Sequence, residues 1–248
     1  GSGSGTDTIK TALASYSLPT GSTGYVENLT YTGSSNFTGV GNASANTITG
    51  GDGDGYGIGG NHFTHTARRN VDLTYLVMNN QIYGLTTGQV SPTSQEGMRT
   101  KSTPFGSVEY PLNPLTSAIM NGATYVGRGY SGDIKGLTEL IKGAILHKGF
   151  SLVDVFSPCV TFNLDNTHDF FKQRIKKLED VEHNPNDWKT ACEYAMEWGD
   201  TIYTGLFFEK TLASLTEVEP ILREGGPIAK RALALTDEQA DRLRARLR

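Results

Sequence analysis

Two short motifs hold the residues best suited to chemistry. Gly51-Asp52-Gly53 is followed by 25 residues, 54 to 78, and then by Asn79-Asn80. A divalent cation such as Mg2+ takes hard oxygen ligands in an octahedron and keeps water where protein does not reach. Asp52 can offer a carboxylate, Asn80 an amide oxygen and Ile82 a main-chain carbonyl oxygen. The glycines flanking Asp52 let backbone N–H groups approach phosphates, and a helix opening near Gly59-Gly60 would turn its positive end toward them. The pattern suits a metal-bridged diphosphate. Gly-Asp-Gly alone is common, and an acidic glycine turn can precede an asparagine-rich turn by chance. The separation, set between two β-like runs, is what makes the pair specific.

The elements needed to bring the two motifs together can be read from the pattern. Residues up to Gly50 are β-like, a helical pattern runs from about Gly60 to Arg69, and Val71-Asp-Leu-Thr-Tyr-Leu-Val-Met is a nearly continuous apolar run, as in a buried parallel strand. One strand–helix–strand unit spans that distance and returns both motifs to one sheet edge. Further along, a short helix over 113–122 stops at Gly122, 123–129 is a strand, and Asp133 caps a helix containing Leu137, Leu140, Ile141 and Ala144. Residues 151–156 form the next strand. This alternation predicts an α/β fold with a doubly wound, mostly parallel sheet. Beyond Cys159 the chain reads as helical and charged: a helix over 168–182, an amphipathic helix over 188–198 carrying Cys192, a loop over 220–227, and a last helix opened by Thr236-Asp-Glu-Gln. His62 and His65 lie three apart on the first helix, facing either the active site or the helix surface, and are assigned no role.

Composition sets the outer limits. The chain has 248 residues with a net charge of −4, which argues against a nucleic-acid binder. No apolar run is long enough to span a membrane. Two cysteines, Cys159 and Cys192, fit a reducing, cytoplasmic setting rather than a disulfide scaffold. The averages hide a seam: 15 of the 30 glycines fall in residues 1–60, where Lys10 is the one basic residue. Three regions are expected: a Gly/Ser/Thr-rich, β-like or disordered leader over 1–49 beginning with a Gly-Ser-Gly-Ser-Gly tract, an α/β core over 50–165, and a helical extension over 166–248. Residues 6–50 resemble the flank of a repeat-in-toxin β-roll, but Gly55 stands where a calcium-ligand Asp belongs and no second nonapeptide follows.

The pairing of Gly-Asp-Gly with Asn-Asn resembles the thiamine diphosphate motif. Three longer strings, starting at Ile58, Asn79 and Lys148 (the last Lys-Gly-Phe-Ser-Leu-Val-Asp-Val-Phe-Ser-Pro-Cys), look like the β subunit of 2-oxoacid:ferredoxin oxidoreductases over about residues 50–248. The resemblance implies a subunit that binds thiamine diphosphate and Mg2+ for oxidative decarboxylation of a 2-oxoacid, with coenzyme A taking the acyl group and ferredoxin the electrons. It implies Mg2+ held by Asp52, Asn80 and Ile82, and a cofactor wall of Gly51, Asp52, Gly53, Asp54, Asn80, Ile82, Tyr83, Gly84 and Leu85. It also implies an α subunit, which would bring the glutamate that thiamine catalysis requires; no catalytic residue is assigned within this chain. Thr87 stands where many relatives carry Lys.

Two departures from that family pattern matter. Its [4Fe–4S] cluster needs four cysteines or near substitutes. Cys159 matches the last ligand, while residues 1–49 contain no cysteine, so the cluster is expected to be absent and Cys159 to be vestigial. The segment that normally precedes Gly-Asp-Gly is replaced by the β-like leader. Two other readings compete with the enzyme subunit: a secreted calcium-binding β-roll protein, and an inert interaction subunit that keeps the fold without the cofactor.

Overall fold

The computed structural model describes residues 7–11, 15–18, 26–31, 38–40, 46–225 and 236–246. Its centre is an eight-stranded sheet in the order β1-β3-β5-β6-β8-β7-β10-β9. These strands are β1 (Asp7–Thr11), β3 (Val26–Tyr31), β5 (Asn46–Gly51), β6 (Leu73–Asn79), β7 (Tyr125–Tyr130), β8 (Phe150–Phe156), β9 (Ile175–Lys177) and β10 (Ile202–Glu209). All neighbours run parallel except β10 against β7. Two short strands, β2 (Ser15–Ser17) and β4 (Thr38–Val40), pair separately.

Helices cover both faces, because β7 and β8 are buried along their whole length and need partners on each side. On one face lie α1 (Gly60–Arg68), α2 (Pro114–Met120) and α5 (Trp188–Met196), which bring Phe63, Leu115, Ile119 and Ala191 against Val77, Val126, Phe150 and Leu152. On the other, α3 (Ile134–Leu146) lays Leu140 and Ala144 over Val153 and Val155. Its Asp133 cap accepts from the Gly136 N–H at 3.1 Å. The doubly wound α/β architecture expected from the sequence is present. His62 and His65 lie exposed on α1.

Several local expectations differ. The α-helix opens at Gly60 with Gly59 as its N-cap, as expected, but the helical path starts earlier. A π-helical coil over Gly53–Ile58 precedes α1, and Asp52 already has helical dihedrals of −64° and −36°. Wide coils of this kind often mark functional positions. The helix expected over 168–182 stops early: α4 (His168–Arg174) gives way to β9, because Ile175–Lys177 pairs with β10 and Leu178 turns into the core. The stretch beyond Cys159 is not wholly helical, since β10 runs through it. Its Gly205 and a register shift at Leu206/Phe208 break the alternation that would have disclosed a strand. The loop expected from Pro220 is helical instead: a single turn, α6 (Leu215–Val218), leads into α7 (Pro220–Gly225). Pro227 and the Gly1–Gly5 tract lie outside the described residues. The last helix, α8, covers Asp237–Arg246.

The N-terminal strands are built into the α/β sheet: β5 pairs with β6 over six residues, from Asn46↔Leu73 to Gly51↔Met78. Asp52 therefore belongs to the carboxyl edge of this sheet and faces Asn80, not a stack of calcium-binding turns. The repeat-in-toxin resemblance gains no support from this arrangement.

Candidate cofactor site

Strand register places the two motifs together. Gly51 is the last residue of β5 and pairs with Met78; Asn79 is the last residue of β6 and pairs with Phe156 at the end of β8. Three adjacent strands thus finish side by side, and the segments that leave them converge at the carboxyl edge, where open α/β sheets bind ligands.

Asp52 is almost wholly buried, with 1% of its surface exposed. Its Oδ1 accepts from the Asn80 N–H at 3.4 Å and its Oδ2 from the Thr93 hydroxyl at 2.9 Å. Burial pushes its carboxyl up from 3.8 to about 6, against the pull of hydrogen bonds from Ser91, Thr93 and Asn80. Asn80 Oδ1 accepts from the Ile82 N–H at 3.1 Å, an Asx turn that leaves its second lone pair for a cation. Ile82 is buried, at 2% exposure. The Thr93 hydroxyl also lies 2.8 Å from Asn79 Oδ1. A single hydroxyl proton serves one of these two oxygens; a proton on Asp52 completes the set, in keeping with a carboxyl raised by burial.

A pH dependence follows. The folded state holds on Asp52 a proton that the unfolded chain has released, so stability falls as pH rises from 3.8 to about 6 and levels off above that. The expected loss is about 3 kcal/mol in order of magnitude. Urea unfolding of the metal-free chain across this range, against Asp52→Asn, checks it: the substitution should remove the decline.

Most remaining wall residues expected from the sequence gather around the same turn. Tyr83 packs on the coil so closely that a Cβ on Gly53 would lie 2.0 Å from its ring and one on Gly57 2.8 Å from its hydroxyl. Gly84 faces Cys159, whose Sγ would be 3.5 Å from an added Cβ. Gly51 donates its N–H to Asp54 Oδ2 at 3.3 Å, so that carboxylate folds back over the end of β5. Leu85 is half exposed. Cys159 is partly exposed, whereas Cys192 is buried in the α5 contact with the sheet, and burial raises its thiol. Among the described residues, no three His, Cys, Asp or Glu side chains converge as a metal site. A cation at Asp52 would draw its remaining ligands from amide and main-chain oxygens, diphosphate and water.

The residues that hold the asparagine turn had no role legible in the sequence. Gln81 adopts the left-handed conformation at φ 58° and is tied down on every side. Its N–H donates to Asn79 Oδ1 (3.2 Å) and its Nε2 to the Thr93 carbonyl (3.1 Å), while its own carbonyl accepts from Ser94 Oγ (2.6 Å) and its Oε1 from Asn166 Nδ2 (2.8 Å). Asn163 Nδ2 donates to the Asn80 carbonyl at 3.0 Å. The polar run Ser91-Pro-Thr-Ser is the sequence feature that could have drawn attention to this turn.

A parallel sheet that joins an acidic glycine turn to an asparagine turn at neighbouring strand ends is the arrangement of thiamine diphosphate-binding domains. The family "Thiamine pyrophosphate enzyme, C-terminal TPP binding domain" matches residues 37–155, and the family of the C-terminal part of the pyruvate ferredoxin oxidoreductase beta subunit matches 159–224. The 2-oxoacid:ferredoxin oxidoreductase subunit beta of Saccharolobus solfataricus is 44% identical over 180 residues, covering 68% of this chain and 59% of the relative. The 2-oxoglutarate oxidoreductase subunit KorB of Mycobacterium tuberculosis is 51% identical over 113 residues, covering 46% of this chain and 30% of the relative. A solved 2-oxoglutarate:ferredoxin oxidoreductase from Magnetococcus marinus, with 2-oxoglutarate, coenzyme A and succinyl-CoA bound, superposes with a TM-score of 0.71 at 39% identity, covering 82% of this chain and 68% of that one. The chain belongs to the β-subunit family of the 2-oxoacid:ferredoxin oxidoreductases. It spans about three-fifths of the S. solfataricus relative.

Proposed function

We propose that this chain binds thiamine diphosphate with Mg2+ and, assembled with an α subunit, carries out oxidative decarboxylation of a 2-oxoacid to an acyl-CoA, passing electrons to ferredoxin in the cytoplasm. The observation that carries the reading is the buried Asp52 carboxylate set against the Asn80 amide turn at adjoining strand ends. Asp52, Asn80 Oδ1 and the Ile82 carbonyl oxygen hold the cation, and Gly51, Gly53, Asp54, Tyr83, Gly84 and Leu85 line the diphosphate and thiazolium side. A buried carboxylate with no cationic side chain bonded to it among the described residues is a fitting seat for a divalent ion, which relieves the cost of its charge. The bound cofactor supplies the electron sink for decarboxylation. This chain's part is to fix the cation, present N–H groups of the Asp52–Ile58 coil to phosphate, and hold Tyr83 against that coil. The glutamate for the aminopyrimidine ring is supplied by the α subunit.

Calorimetry with thiamine diphosphate, with Mg2+ and then with a chelator, tests the binding; co-purification with an α subunit and 2-oxoacid-dependent dye reduction tests the reaction. Absence of Mg2+-dependent binding would return the chain to an inert subunit that keeps the fold.

We further infer that this chain carries no iron–sulfur cluster of its own. It holds Cys159 and Cys192, one beside the asparagine turn and the other buried in the helical layer, where a cluster needs four ligands. Iron and sulfide analysis of anaerobically purified protein should find less than stoichiometric amounts; a full complement of each would defeat the inference.

A further inference from the structure

Beneath the candidate site, within the sheet, lies a charged pair that the cofactor reading does not use. Asp154 on β8 and Arg128 on β7 are register partners, 0% and 3% exposed. Arg128 Nε lies 3.7 Å from Asp154 Oδ2, and the guanidinium sits over the rings of Phe156 and Phe207 at 5.1 and 5.3 Å. Among the described residues, its Nε and Nη1, like Asp154 Oδ2, have no hydrogen-bond partner. As an ion pair this is poorly satisfied, and an apolar pair of similar volume would hold the fold about as well. Its value must lie in what else Asp154 does.

The other oxygen of Asp154 is heavily used. Oδ1 accepts from the Tyr56 hydroxyl at 2.9 Å and from Asn79 Nδ2 at 2.9 Å. Tyr56 belongs to the coil after Asp52; Asn79 is the end of β6 and the start of the asparagine turn. These two residues lie 98 and 75 positions from Asp154 in sequence, so a single distant atom ties both loops to the sheet. Holding Asn79 Nδ2 also fixes its Oδ1 toward the Gln81 N–H and Thr93, and Thr93 reaches Asp52. From this geometry we propose that Asp154 is the positioning residue that aligns the two loops of the cofactor site, with Arg128 as its neighbour across the β7–β8 register inside the sheet. The proposal deepens the reading above and rests on it for the identity of the ligand.

Two charge-neutral double variants separate the acceptor from the ion pair. Asp154→Asn with Arg128→Met keeps an oxygen for Tyr56 and Asn79; Asp154→Leu with Arg128→Met does not. In the metal-free full chain, hydrogen exchange at the Asn80 and Gln81 amides should accelerate about tenfold or more in the leucine variant, with the β8 ladder amides nearly unchanged. Binding of thiamine diphosphate with Mg2+ should weaken by about tenfold or more in the same variant, the usual effect of losing a group that orients a ligand. The asparagine variant should stay within about threefold of the parent in both measurements. Tyr56→Phe, which removes one hydroxyl without changing shape, covers the case in which the leucine variant does not fold: exchange at the Gly59 amide should rise about threefold or more. Parental exchange at Asn80 and Gln81 in the leucine variant, equal acceleration across β8, or an unaltered Gly59 amide in Tyr56→Phe would each overturn the assignment. Failure of the parent itself to bind the cofactor would instead strike the reading of function, while the exchange rates still decide the role of Asp154.

Discussion

Replacing Asp52 by Asn should weaken binding of thiamine diphosphate with Mg2+ by about 100-fold or more, or about 2.7 kcal/mol, while making the cofactor-free protein more stable at neutral pH. The two effects have one cause. The carboxylate is buried and raised to about 6, so above that pH the fold carries an uncompensated charge. An amide of the same shape still accepts from the Asn80 N–H through its oxygen and can donate through its Nδ2 to the Thr93 hydroxyl oxygen, but it brings no charge to a cation. The stability gain should be about 2–3 kcal/mol, seen in urea unfolding at pH 7.5, and it should vanish when parent and variant are compared near pH 4. Calorimetry on the same samples gives the binding loss. A variant that binds as well as the parent removes the metal site; a variant that is less stable at both pH values shows instead that Asp52 is a structural hydrogen-bond hub.

The second large effect concerns adjacent glycines that should respond in opposite directions. Gly59 closes the π-helical coil by donating its N–H to the Asp54 carbonyl at 2.7 Å. A Cβ there would lie 2.5 Å from that oxygen and 3.1 Å from the Gly55 carbonyl, both backbone atoms that cannot swing away. Gly60, the first residue of α1, has nothing within 4 Å of an added Cβ. Gly59→Ala should therefore cost about 2–3 kcal/mol and lower the melting temperature by about 4–10 °C, and, on the proposed reading that this coil presents its N–H groups to phosphate, it should also weaken cofactor binding. Gly60→Ala should be neutral or stabilising by about 0.5–1 kcal/mol through the unfolded state and helix propensity. Calorimetric melting of both variants decides the matter. If Gly59→Ala melts with the parent, the wide coil is not the conformation that the protein adopts.

What is local in this protein is legible from the order of its residues. The separation of Gly-Asp-Gly from Asn-Asn is one strand–helix–strand unit long, and the apolar run before Asn79 reads as a buried strand. The cap at Asp133 and the stop at Gly122 depend on neighbours three or four residues away. Contacts between distant segments set the rest. The coil after Asp52 is wide because Gly53, Gly55 and Gly57 let Tyr83, Tyr75 and Pro92 pack against its backbone, a match that glycine composition cannot announce. Gln81 holds a left-handed turn through partners as far off as Asn166. Strand β10 and the short β9 replace expected helix, because pairing with an existing sheet, β10 on β7 and β9 on β10, outweighs local propensity. Asp154 and Arg128 read in sequence as ordinary charges interrupting strands. Their meaning comes from register, which sets them side by side under two loops, and register is fixed by the whole sheet, not by the residues near each charge.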